Sequence, residues 1–148
     1  MNALQKQVDA LTRGVPHIIA NLANTAAALW QHFENINWAG FYLLEGDKLI
    51  LAPFQGKPAC IEIPMGKGVC GTAALLDKTQ VVPDVHAFPG HIACDGASNS
   101  EIVIPIHKDG KVWGVLDMDA PVFDRFSRED QENLEEIVKI LERNLFAY

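Results

Sequence analysis

Val15, Ile18, Ile19, Leu22, Ala26, Leu29, Trp30 and Phe33 recur at three-to-four spacing. That spacing marks one apolar helical face, so the N-terminal third reads as helix. Pro16 suits the first turn of such a helix, where a missing N–H costs nothing. After Asn35 the period changes. Ile36-Asn37-Trp38-Ala39-Gly40-Phe41-Tyr42-Leu43-Leu44 is aromatic and branched, Glu45-Gly46-Asp47-Lys48 is a turn, and Leu49-Ile50-Leu51-Ala52 resumes the apolar run. The pair predicts an antiparallel hairpin. Cys60-Ile61-Glu62-Ile63-Pro64 alternates as a half-buried strand. The stretch from Gly66 to Leu76 reads as a loop feeding a short helix, and Gln80-Val81-Val82 as a brief strand ended by Pro83-Asp84.

Ile102–Ile106 and Lys111–Asp119 are two further strands on either side of Asp109-Gly110, a strong hairpin signal. The chain closes with a well-marked helix. Ser127 is its N-cap candidate with Asp130 three residues on, Phe126 precedes it as a staple, and Leu134, Ile137, Val138, Leu141 and Leu145 form its buried stripe. No internal repeat or low-complexity tract divides the chain, so residues 1–148 read as a single domain. Strands joined by short turns, with helices at both ends, predict an α+β fold: a central antiparallel sheet of about six strands with the N- and C-terminal helices packed mainly on one face.

Composition narrows the function classes. Apolar residues make up 49% and charged residues 21%, an ordinary globular balance. The net charge of −7 and the lack of a dense Lys/Arg stripe exclude nucleic acid and anionic membranes as natural partners. Apolar runs fall far short of the ~20 residues that span a bilayer. No apolar segment follows the basic residue in Met1-Asn2-Ala3-Leu4-Gln5-Lys6, so a secretory signal is not expected, and the location expected is cytoplasmic. In a reducing compartment, Cys60, Cys70 and Cys94 read as a transient catalytic or sensing set, with one thiol attacking and another resolving. Helix-dipole reasoning favours Cys70 as the attacker, because it opens a helix. Its place in the polar loop from Gly90 to Glu101 favours Cys94. The residues alone leave that choice open.

Acids and aromatics supply the rest of a candidate site. Strand alternation puts Asp117 and Asp119 on one face with Met118 on the other, and the hairpin brings Glu101 near their level. Three converging acids suit a substrate ammonium, or a proton donor with a raised pKa. Trp38 and Tyr42 point the same way and offer an apolar wall, with Phe41 facing the core. His91-Ile92-Ala93-Cys94 is too sparse for a zinc site, which takes three or four protein ligands, so no metal is expected. The histidines read as surface or hydrogen-bonded groups.

These residues resemble a known family. Asn37-Trp38-Ala39-Gly40-Phe41-Tyr42, Pro53-Phe54-Gln55-Gly56, Gly68-Val69-Cys70-Gly71-Thr72, the stretch from Gly90 to Glu101, and Gly114-Val115-Leu116-Asp117-Met118-Asp119 look like the GAF-fold free methionine-(R)-sulfoxide reductases, in that family's order, from about residue 20 onward. The resemblance implies reduction of free methionine (R)-sulfoxide through a cysteine sulfenic acid. It implies Cys94 as nucleophile, Cys60 as the resolving cysteine with Cys70 as the alternative, and Glu101, Asp117 and Asp119 as acidic active-site residues. Trp38 and Tyr42 match the apolar pocket. No bound cofactor is implied; thioredoxin is the implied external reductant, and a homodimer the implied assembly. The competing reading is a non-catalytic GAF sensor of a small molecule or of redox state. Against it, none of residues 1–148 reads as an output domain, and the Asn-Lys pair of cyclic-nucleotide-binding members is absent from them.

Overall fold

A computed structural model describes residues 1–91 and 96–147. Cys94, expected to be the nucleophile, lies outside the described residues. Helix α1 (Ala3–Thr12) and helix α2 (Ile18–His32) lead into strands β1 (Trp38–Glu45), β2 (Lys48–Gly56) and β3 (Glu62–Pro64). Helix α3 (Gly68–Leu76), strands β4 (Gln80–Val82), β5 (Ser100–Lys108) and β6 (Lys111–Ala120), and helix α4 (Arg128–Leu145) complete the chain. One six-stranded sheet runs in the order β3-β2-β1-β6-β5-β4, and each neighbouring pair is antiparallel. This is the α+β layout expected.

Both faces of the sheet are covered, and period-2 alternation divides the strands between them. Phe41, Ile102, Ile104, Leu116 and Met118 join Leu22, Leu29, Leu134, Ile137 and Leu141 in the core under α1, α2 and α4. Trp38, Tyr42, Val103 and Val115 face the opposite way, toward Val69, Cys70 and Ala73 of α3. The end helices thus form one layer, while α3, with Val85 and Phe88 beside it, roofs the other face.

The N-terminal segment differs from its pattern in two ways. Gly14, at φ 73°, breaks it into two helices, and Pro16 lies just ahead of His17, the N-cap of α2, rather than in its first turn. In α2, Ile19 is 74% exposed, and Ile18 and Trp30 are also exposed, while Asn21, Thr25 and Ala28 are buried beside Leu22, Ala26 and Leu29. Ile19 and Trp30 lie about 60–80° round the helix from Leu22 on one side; Asn21 and Thr25 lie on the other. Helix α2 packs on α1 as well as on the sheet, and its buried arc, which takes in Asn21 and Thr25, is wider than the apolar stripe and turned away from it.

A buried carboxylate ties α1 to α4. Asp9 accepts from Asn144 Nδ2 at 3.0 Å and Arg143 at 3.1 Å, and it pairs with Arg13. Asn144 also donates to Thr12 Oγ1 at 2.9 Å. The Asn144 hydrogen bond above all, helped by the two arginines, outweighs burial and holds Asp9 below the ordinary carboxylate range. A carboxyl with a depressed folded pKa contributes stability above its unfolded pKa and loses it as pH falls through the folded value. Asp9→Ala is therefore expected to cost about 1–3 kcal/mol at neutral pH. In thermal melts the gap from the parent protein should narrow below roughly pH 4.

Candidate active site

β1, β6 and β5 lie side by side, and their register sets one row: Trp38 opposite Asp119, and Asp119 opposite Glu101. In the adjacent row Asp117 lies between Gly40 and Val103. Directly opposed antiparallel residues share a face. Trp38, Tyr42, Glu101, Asp117 and Asp119 consequently line one pocket beneath α3, together with Cys70. Strand alternation had placed the two aspartates together and the two aromatics together, and the fold brings both pairs into the same space. Met118 and Phe41 face the helical layer.

The aromatic wall is fixed at its polar atoms. Trp38 Nε1 donates to the Lys57 carbonyl at 3.2 Å, and the Tyr42 hydroxyl donates to the Cys60 carbonyl at 2.8 Å. Their rings stack with centroids 5.8 Å apart, and Phe54 stacks on the far side of Trp38 at 5.1 Å. With both polar atoms satisfied away from the pocket, the rings present carbon to it.

The acids are held where they cannot all ionise. Glu101 is 7%, Asp117 5% and Asp119 9% exposed. Burial first, then repulsion from Asp117 and Asp119, pushes Glu101 well above the usual carboxylate range, which favours its protonated form. Burial also raises Asp117, although hydrogen bonds from Glu101, Cys70 and Asp119 oppose the shift. Asp117 Oδ1 meets no hydrogen-bond donor among the described residues. The site therefore sets an acid whose proton is favoured beside a carboxylate oxygen without a donor.

The cysteines are not equivalent. Cys60 is disulfide-bonded, whereas Cys70 is a free, buried thiol. Cys70 does sit in the first turn of α3, as the helix-dipole argument required. Burial and the neighbouring Asp117, Glu101 and Asp119 nevertheless push its pKa well up. Its Sγ lies 4.0 Å from Glu101 Oε2. A thiol so placed is a poor nucleophile, which corrects the case for Cys70 as attacker.

Three polar lining residues were missed by the sequence reading. Lys67, the N-cap residue of α3, Ser98 and His91 all line the pocket. His91 had been read with the other histidines as a surface or hydrogen-bonded group. Burial, then the charge of His86, lowers its pKa, so it is neutral at the pocket wall. A lone basic residue before a helix and a histidine four residues from Asp95 were the only local signals. Neither had a periodic partner to raise it above background.

Residues 10–145 match the GAF domain. The chain is 53% identical to the free methionine-R-sulfoxide reductase of Escherichia coli over 142 residues, covering 96% of this chain and 86% of that protein. The substrate complex of fRMsr from Staphylococcus aureus superposes with a TM-score of 0.92 at 58% identity, covering 96% of this chain and 93% of that one. The free methionine-R-sulfoxide reductase of Neisseria meningitidis, also solved with its substrate, gives 0.94 at 46% identity, covering 97% and 87%. Sequence and fold agree over nearly the whole length, and the chain belongs to the GAF-domain free methionine-R-sulfoxide reductase family.

Proposed function

We propose that this chain reduces free L-methionine (R)-S-oxide to L-methionine, with Cys94 as nucleophile. One observation carries the reading: a half-open pocket sets Glu101, whose pKa is raised, and the acceptors of Asp117 and Asp119 against a stacked Trp38–Tyr42 wall. The substrate ammonium is taken by the aspartates and its S-methyl group lies on the aromatic faces. Its carboxylate meets Lys67 and the N-terminus of α3, where unpaired N–H groups and the helix dipole favour an anion. A pocket that encloses both ends of an amino acid excludes methionine within a peptide.

In the first step the Cys94 thiolate attacks the sulfoxide sulfur while Glu101 gives its proton to the departing oxygen. The oxygen departs as hydroxide. Water then attacks the Cys94 sulfur and breaks the new sulfur–sulfur bond, and the proton that water releases joins the hydroxide, leaving free methionine and Cys94 as sulfenic acid. The Cys60 thiol then attacks that sulfur, expelling water and forming a Cys60–Cys94 disulfide. That Cys60 is disulfide-bonded while Cys70 is free supports Cys60 in this role. Thioredoxin supplies two electrons and two protons to restore both thiols; no bound cofactor or metal takes part. We assign the working assembly as a homodimer and the compartment as the cytoplasm. Ile19 and Trp30, exposed on one side of α2, offer an apolar face to a second copy. Among the described residues no helix is long and apolar enough to cross a membrane.

The test is NADPH consumption with thioredoxin, its reductase and each purified epimer of free methionine sulfoxide. The R epimer should turn over and the S epimer should not; turnover of neither overturns the reading. The same assay checks how α3 is seated. Gly71 packs so closely on the end of β3 that an added Cβ would lie 2.5 Å from the Pro64 carbonyl oxygen. Gly71→Ala must push the first turn of α3 outward. Since misplacement by about 1 Å can cost up to about 10²-fold, kcat/KM is expected to fall at least tenfold.

A further inference from the structure

We propose that Cys70, Glu101 and Asp117 form a site for one zinc-class divalent cation, and that a cation held there excludes the substrate. The exclusion rests on the pocket reading given above; the metal site itself does not.

The donor atoms are one sulfur and two carboxylate oxygens, all within 4.8 Å of one another and all on buried side chains. They come from three different elements, α3, β5 and β6, so the set is held by the fold rather than by one flexible loop. Tetrahedral zinc at ordinary bond lengths spaces such atoms roughly 3.4–3.6 Å apart. Shifts of about an ångström within existing side-chain freedom would close the site. The sulfur argues against calcium and magnesium, which take oxygen alone, and the oxygens argue against copper(I). Three protein ligands leave a fourth position open toward the pocket.

A second observation points to a cation independently of the clustering. Asp117 is 5% exposed, yet its Oδ1 meets no hydrogen-bond donor among the described residues. A buried carboxylate oxygen left without a donor is costly unless a positive ligand completes it. The substrate ammonium is one such ligand and a dication is the other, and both need the same oxygen. Binding is therefore mutually exclusive. The balance is simple: the metal takes Cys70 as thiolate and Glu101 as carboxylate, their two protons pass to solvent, and nothing is oxidised or reduced. Cys60, tied in its disulfide, contributes no ligand in this state.

The experiment uses the full chain in its disulfide form, without reductant or chelator, titrated with zinc alone and with cadmium alone. One equivalent of either should bind, and cadmium should give a thiolate-to-metal charge-transfer absorption. Asp117→Asn should weaken binding at least about tenfold, and Cys70→Ser should remove the band while its circular dichroism stays unchanged. Free methionine sulfoxide should displace the metal, whereas an equal concentration of L-alanine, which chelates through the same amino and carboxyl groups, should not. Absence of the cadmium band in the unaltered protein overturns the metal site without depending on any variant. Undiminished binding in Asp117→Asn overturns it too. A band that methionine sulfoxide fails to reduce overturns the exclusion alone. The reductase reading is judged separately, by turnover of metal-free protein, so the two can fail independently.

Discussion

Cys94→Ser is expected to release no methionine even in a single turnover, while Cys60→Ser releases about one methionine per enzyme and then stalls. The two outcomes differ because the cysteines act at different points. Without the Cys94 thiolate no bond forms to the sulfoxide sulfur, and a serine hydroxyl at neutral pH is too weak a nucleophile to replace it. Without Cys60 the first step is intact, but the sulfenic acid has no partner and thioredoxin meets no disulfide. Cys70→Ser should continue past the first methionine, because Cys70 is free while Cys60 is bonded, and its raised pKa makes it slow in exchange. Rapid quenching of enzyme with a small excess of the R epimer counts the first methionine released without thioredoxin, and the same count with thioredoxin and its reductase present separates the variants that continue from those that stall. Repeated turnover by Cys94→Ser with thioredoxin present would refute the assignment. A stall in Cys70→Ser with continued turnover in Cys60→Ser would move the resolving role to Cys70.

How far the sequence could be read depended on whether local chemistry or distant packing decided each feature. The Asp109-Gly110 turn was legible because both residues need positive φ, observed at 53° and 75°. The face of Glu101 was less secure than that turn suggested. With Lys108 opposite Lys111, an uninterrupted ladder would set Glu101 opposite Met118, on the helical side. A bulge between Ile106 and His107 leaves Trp113 unpaired and shifts the register by one, so that Glu101 meets Asp119 instead. The acidic cluster therefore depends on an irregularity that the apolar pattern of 111–119 did not announce. The roof was illegible for another reason. Gly68-Val69-Cys70-Gly71-Thr72-Ala73-Ala74 is small and apolar on every side, so no stripe says which surface it covers. Which thiol stays unreactive followed only once three acids, carried by the neighbouring strands β5 and β6, were found around Cys70 of α3.

Glu101→Gln should slow release of the first methionine by about 10²–10⁴-fold, the usual worth of general acid catalysis. Glutamine keeps the length and polarity of the side chain but has no proton to give to the departing oxygen. Reduction of the Cys60–Cys94 disulfide by thioredoxin should be unchanged, since no step there uses this acid, and KM should move far less than kcat. In the parent protein the rate should fall at alkaline pH as Glu101 ionises, and the variant should lack that limb. Stability supplies a check that a merely disruptive substitution would fail. Burial raises the folded pKa of Glu101 above its unfolded value, so its contribution is fully present below the unfolded pKa and is lost as pH rises through the folded one. Glutamine carries no such penalty. At about pH 8 Glu101→Gln should melt above the parent protein, with the difference shrinking toward about pH 5, so that the less active protein is the more stable one. Equal melting temperatures at both pH values would mean that Glu101 ionises normally in the folded protein. It would then hold no proton to donate, and the role of acid would pass to Asp117.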